Sequence, residues 1–274
     1  MLSLKNIQLI RDKSKHIPNN LTDRSISMLI TFSDIISQSS SEDRFIQVFK
    51  NIYSEQEKLL IEAHRTMLLA CYRNPDLAPK ITGKSIKSVA TSWLKKYSHG
   101  LKSRISQRIS KPPGTVPDPI VDIIISTRLS EISIEQVKQI KYAHRLSMSA
   151  ENILGLLLEE FLSEHLSRYG WHCCWGEVVR YVDFCNVDGS LLQVKNRSNS
   201  ENSSSSKVRK NLPIEKWHRI DAETGSDRWS YFNEIYGTDS FSEQSFINFV
   251  RRVLTENPQA LALDSDNPWK SRSE

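Results

Sequence analysis

Between Ser149 and Tyr169 the apolar residues Ile153, Leu154, Leu156, Leu157, Leu158, Phe161, Leu162 and Leu166 recur so closely that they cover well over half the circumference of a helix. A helix with that much apolar surface has to be buried, and the extended segments after it supply a sheet to bury it. Ser149 is placed to cap this helix and Gly170 to end it. Trp171 to Trp175, Val178 to Cys185 and Ser190 to Lys195 then read as strands. The last two are joined through Asn186-Val187-Asp188-Gly189 as a hairpin. The order helix, strand, strand predicts a mixed α/β (α+β) fold, with a mixed central sheet flanked by helices.

The chain upstream reads differently. Residues 1–110 are mostly helical in pattern, with helices predicted over Ser25 to Ile36, Asp43 to Tyr53, Glu55 to Tyr72 and Lys84 to Tyr97. Ser54 with Glu57 has the spacing of a capping box for the third, and Gly100 marks the end of the fourth. Lys111-Pro112-Pro113-Gly114 through Pro119 reads as a stiff linker, with Pro117-Asp118 as a turn. The chain therefore divides into a helical region, 1–110, and a core, 111–274. Within the core a strand is predicted over Ile120 to Ser126 and a helix over Ile134 to Ala143. An amphipathic helix holding Trp217, His218 and Arg219 and a last helix from Glu243 to Leu254 follow, with the polar tail from Asp264 at the surface.

Composition excludes several classes. No stretch approaches the roughly eighteen apolar residues of a membrane span, and charges at Lys5, Arg11, Asp12, Lys13 and Lys15 break up any secretory leader. A soluble, cytoplasmic protein with no membrane association is expected. Cys71, Cys173, Cys174 and Cys185 contain no Cys-x2-Cys pair, and adjacent extended Cys173 and Cys174 would point to opposite faces, so reduced and buried thiols are expected. The seven histidines form no metal-binding spacing. Lys and Arg number 37 against 32 Asp and Glu. That imbalance is modest, yet Lys84, Lys87, Lys95, Lys96, Lys102, Arg104, Arg108 and Lys111 cluster late in the helical region among Ser and Thr. Cations mixed with short hydroxyl donors suit a phosphate backbone, and a solvated helix face is the competing reading.

The chemistry-bearing residues gather on the hairpin. Asp183 lies on its first strand, and Gln193 and Lys195 lie two apart on the second, hence on one face. An acidic oxygen, an amide oxygen and an ammonium at one sheet edge suit a divalent cation and a phosphodiester. Asp183 is the principal candidate metal ligand and Gln193 a neutral carbonyl donor, an arrangement compatible with Mg²⁺ and its preference for oxygen. Lys195 is placed to orient water or stabilise charge on the phosphorus centre. Glu159 is the candidate for a second carboxylate because a buried glutamate demands a partner or a metal. Gly155, four residues earlier, would let that helix approach the sheet, and Glu160 is the alternative. Glu177 and Asp188 are further ligand candidates, read equally as an edge ion pair and as turn chemistry.

Asp183, Gln193-x-Lys195 and the run Leu192-Gln193-Val194-Lys195-Asn196-Arg197 through Ser206, with Val208-Arg209 and Ile214-Glu215-Lys216-Trp217, resemble a type II restriction endonuclease of the SinI family. That family is grouped with nucleases of the Pro-Asp…Asp/Glu-x-Lys core. The resemblance extends from about Asn152 to Trp217 and is vague in the helical first third. It implies a restriction-endonuclease-like core and a Mg²⁺-dependent homodimer. The dimer would cut palindromic double-stranded DNA, typically at GGWCC after the first G, to leave three-base 5′ overhangs, and a cognate DNA methyltransferase would accompany it. Asp183 and Lys195 match the core aspartate and lysine. Gln193 stands where Asp or Glu is usual, and Val182 where Pro is usual.

Residues 196–210 then read as a DNA-recognition loop. Arg can contact guanine twice, Asn can contact adenine twice and Glu can accept from cytosine, which makes Arg197, Asn199, Glu201, Asn202, Lys207 and Arg209 base or phosphate candidates. Ser203 and Ser204 fit phosphate and sugar contacts. Two other functions fit the same residues: a weakly specific repair nuclease, and a DNA-binding protein in which Gln193 marks a decayed site. Residues 1–110 have no assigned role beyond contact with DNA or with a second subunit.

Overall fold

A computed structural model describes residues 29–56, 58–112, 118–198 and 213–270. The short strand β1 (Ile30–Thr31) leads into α1 (Phe32–Gln38), where Thr31 and Asp34 cap each other reciprocally. Helices α2 (Glu42–Ser54) and α3 (Glu62–Arg73) follow. Then come β2 (Thr82–Gly83), paired antiparallel with β1, and α4 (Ile86–Lys102). The helical first third is thus present, with shifted boundaries. Ile30 and Thr31 are strand, not helix. Ser54 ends α2 and caps nothing after it, and its expected partner Glu57 lies outside the described residues.

Two expectations in the next stretch fail for an identifiable reason. The apolar run from Ile120 was expected to be a strand, but it is the helix α5 (Pro119–Arg128). Asp118 accepts the Ile120 N–H at 2.9 Å and Pro119 occupies the first turn, an N-cap followed by a proline where only a turn was read. The two helices expected around Ser149 are a single 33-residue helix, α6 (Ile134–Leu166), capped by Ser133 and Gln136 and passing straight through Ser149. A short 3₁₀ turn and left-handed Gly170 (φ +80°) end it.

The sheet has four strands in the order β3 (Trp171–Cys173), β4 (Phe184–Asn186), β5 (Leu191–Arg197) and β6 (Ile214–Ile220). The first three are antiparallel and β6 runs parallel to β5, so the sheet is mixed as expected. Segment 214–220 is therefore a strand, not the amphipathic helix expected around Trp217. Only Trp217 of this strand is fully buried and its burial shows no two-residue period, so the segment carries no clear strand signal of its own. Only the end of the segment from Val178 to Cys185 is strand; residues 174–183 form a loop. Helices α7 (Ser230–Tyr236) and α8 (Glu243–Glu256) follow.

Helices cover both faces. Leu191, Cys174, Cys185, Val178, Val179 and Val182 pack with Phe32, Phe45, Phe49, Trp93 and the rest of the α1–α4 core. Leu192, Val194, Phe184, Cys173, Trp171 and Trp217 pack with α6, α7 and α8 through Phe161, Trp229 and Phe246. The alternation of β5 (Leu191 one way, Leu192 and Val194 the other) assigns each face to its own helical layer. Cys173 and Cys174 point to opposite faces, and all four cysteines are free and buried.

Two further corrections concern particular residues. Gly155 was expected to let α6 approach the sheet, but a Cβ there would meet nothing within 4 Å. The tail is not wholly at the surface: Asp264 pairs with Arg145 at 2.7 Å, Asp266 accepts from Tyr142, and Asn267 is buried. Among the described residues no helix is long and apolar enough to cross a membrane.

Candidate active site

The cleft lies where the hairpin opens. Asn186 and Ser190 close the β4–β5 turn, Gly189 adopts φ +96°, and Asp188 accepts the Ser190 N–H at 2.8 Å. Asp188 is thus turn chemistry at the closed end. The strands pair only as far as Phe184 opposite Leu192, while β5 continues to Arg197. Asp183 sits at this open end. Its N–H donates to Leu192 O at 3.0 Å, its carbonyl accepts from Cys174 N at 2.8 Å, and its Oδ2 accepts the Val194 N–H at 2.7 Å. The carboxylate is therefore fixed on the backbone between Gln193 and Lys195.

The opposite wall is built by α4 and the 174–183 loop. A Cβ on Gly100 would lie 2.2 Å from Gly176 N, and one on Gly176, itself at φ +76°, would lie 2.2 Å from Lys96 O. Only two glycines allow this approach of helix to loop. Trp93 Nε1 donates to Val178 O at 3.3 Å and Arg180 N to Leu77 O at 2.8 Å, holding a loop in which Glu177 and Tyr181 also have positive φ. The cleft measures about 800 Å³ and is lined by Glu159, Asp183, Gln193 and Lys195 together with Lys80, Lys96, Arg104, Arg108, Glu177 and Arg180.

All four predicted catalytic residues thus share one cleft. Gln193 is buried and Lys195 half-buried. Of the two adjacent glutamates, Glu159 faces the cleft. Glu160 turns into the core, where it accepts from Ser106 N at 3.2 Å and from the Ser106 hydroxyl. Glu177 lines the rim and is exposed. Arg197 is exposed at the end of β5. The remaining predicted DNA contacts, Asn199, Glu201, Asn202, Ser203, Ser204, Lys207 and Arg209, lie outside the described residues.

The electrostatics of the cleft favour a bound cation. Burial pushes the Glu159 carboxyl up to about 8, the nearby Asp183 carboxylate adds to this, Lys195 opposes it and Glu177 reinforces it. Burial likewise raises Asp183, against the lowering effect of the Val194 N–H and Lys195. Two half-buried carboxylates lining one cleft, each with its ionisation disfavoured, are a site that a cation would stabilise. Asp183 and Glu159 with the Gln193 amide oxygen give hard oxygen donors, which fit Mg²⁺.

Sequence reasoning did not single out Lys80, Arg180, or Arg104 and Arg108 as cleft residues. The late basic cluster contained the two arginines, but nothing in its spacing separates those lining the cleft from Lys87, which pairs with Glu55 on the outer surface.

Residues 47–256 match the profile of the family described as SinI restriction endonuclease. The type II restriction enzyme Eco47I of Escherichia coli is 43% identical over 150 residues, covering 53% of this chain and 65% of that protein. The type II restriction enzyme SinI of Salmonella infantis is 43% identical over 148 residues, covering 52% and 64%. Each match therefore spans a little under two thirds of the relative's length. The profile covers most of the chain and includes every residue of the cleft described above: the chain belongs to the SinI restriction endonuclease family.

Proposed function

We propose that this protein is a type II restriction endonuclease hydrolysing phosphodiester bonds of double-stranded DNA with Mg²⁺. The observation that carries this reading is the convergence of Glu159, Asp183, Gln193 and Lys195 on one cleft rimmed by cations. Asp183 and Glu159 would hold the ion, with Gln193 as a neutral third donor. When bound, Mg²⁺ neutralises a non-bridging phosphate oxygen and activates water. The chain's own residues do the rest. The Val194 N–H keeps the Asp183 carboxylate aimed, and Lys195 offers an ammonium to charge developing on the phosphorus oxygens. The recognition site is proposed to be GGWCC, cut after the first G, as the resemblance on Gln193 to Ser206 and Ile214 to Trp217 implies. A cognate methyltransferase protecting that site and a cytoplasmic location belong to the same proposal.

A palindromic site calls for a homodimer. The face suited to a second copy is on α5 and the first half of α6, where Ile120, Ile123, Ile124, Ile134 and Met148 are exposed by 49–80%. With Val121, Leu129 and Ile140 they expose roughly 800 Å² of apolar side chain, the share of one partner in a stable interface. Residues 118–150 hold as many Asp and Glu as Lys and Arg, a balance that suits self-association and not a phosphate backbone.

Incubation of the purified protein and Mg²⁺ with a large duplex DNA tests the function. Discrete fragments whose sequenced ends share one palindrome are expected. A smear would indicate a weakly specific nuclease, and binding without cleavage would indicate a DNA-binding protein with a decayed site.

A further inference from the structure

The segment after α4, residues 103–110, is fastened more firmly than a surface connection requires. Ile105 is fully buried among the α6 and α8 side chains. Glu160, 1% exposed, accepts from both the backbone N–H and the hydroxyl of Ser106. From the other side the Asn257 amide donates to Ile105 O and to Arg108 O, both at 2.9 Å, and Ser110 N donates to Gln259 O at 2.9 Å. Within the segment Arg108 N donates to Arg104 O at 2.8 Å, a single helical turn that brings positions 104 and 108 to one side. That side is the cleft: Arg104 and Arg108 line it together with Glu159, Asp183 and Lys195.

We propose that Arg104 and Arg108 form a preorganised grip on the phosphodiester backbone of duplex DNA, flanking the phosphate to be cut. This rests on the endonuclease reading and adds to it a binding site outside the predicted recognition loop. Two observations support it. Among the described residues Arg104 and Arg108 take part in no ion pair, although the cleft beside them holds carboxylates. Arg104 Nε is bound to Leu101 O at 2.8 Å and the guanidinium lies 6.0 Å from the Trp175 ring centroid, so its plane is held in place. Planar guanidiniums match two oxygens of a phosphate, and a guanidinium fixed before binding, as that of Arg104 is, loses little freedom on forming those bonds.

A salt titration separates this from a structural role. Affinities of the wild type, Arg104→Ala/Arg108→Ala and Lys87→Ala are measured by fluorescence anisotropy in EDTA on two duplexes, one containing GGACC and one without it. Each phosphate contact contributes close to one unit to the slope of log K against log salt. The double variant is expected to lower that slope by about 2 and to weaken binding to both duplexes by roughly tenfold or more. Lys87→Ala is expected to leave the slope unchanged, and a normal thermal transition would show the double variant folded. A wild-type slope in the double variant, or a loss confined to the GGACC duplex, would overturn the proposal. If the wild type neither binds either duplex in EDTA nor cuts it in a parallel assay with Mg²⁺, the endonuclease reading falls with it. If the wild type cuts while the double variant keeps its slope, only the grip is lost.

Discussion

Glu159 is the residue on which the chemistry and the stability of this fold conflict. Its carboxyl is raised to about 8 by burial first and by Asp183 second, from an ordinary value near 4.5. A group whose folded value lies above its unfolded one stabilises the fold below the unfolded value and loses that contribution as pH rises through the folded value. The metal-free protein should therefore lose stability between about pH 4.5 and pH 8 through this residue. Glu159→Gln removes the effect: denaturant midpoints of the two proteins should converge near pH 4.5, and the variant should be the more stable at pH 8.5. A pH-independent difference would remove Glu159 from the buried pair. Asp183→Asn keeps the bond from Val194 but removes a charge, and Mg²⁺ affinity measured by calorimetry is expected to fall at least tenfold.

At the scale of elements, the cleft depends on α4 lying directly on the 174–183 loop. Gly100→Ala places a methyl 2.2 Å from Gly176 N, and backbone has to shift. A loss of about 3 kcal/mol is expected, with activity falling further than stability because the cleft wall moves. Gly155→Ala is expected to do the opposite: its Cβ meets nothing, and a helix interior gains about 1 kcal/mol from alanine over glycine. Denaturant unfolding of the two variants checks both signs. Gly155 invited the wrong inference because a glycine's neighbours are invisible in sequence, whereas the contact that matters joins residues 76 positions apart. The hairpin around Asp183 was legible because its turn and its alternation are local. The strand at 214–220 was not, because it forms by pairing in parallel with β5 and its own period is ambiguous over seven residues. Helix α5 was misread for a related reason: a run of Ile and Val carries the composition of a strand, and only Asp118-Pro119 marks it as helix.

The whole molecule brings its two helical layers to one cleft, the first third through Lys96, Arg104 and Arg108 and the second through Glu159 on α6. That cooperation could not be read from residues 1–110, whose periodicity reports only a packed core. The apolar surface of α5 and the start of α6 is the other global feature. Sedimentation equilibrium is expected to show a dimer, and Ile124→Glu, at a side chain 62% exposed, to shift it towards monomer without loss of helicity. An unchanged mass would place the interface elsewhere. The central claim, that this cleft cuts DNA, is tested most directly at Lys195. Single-turnover cleavage of a GGACC duplex with Mg²⁺ should be at least a hundredfold slower for Lys195→Ala than for the wild type, while binding to the same duplex in EDTA stays within a few-fold. A wild-type cleavage rate in that variant would contradict the assignment of the site.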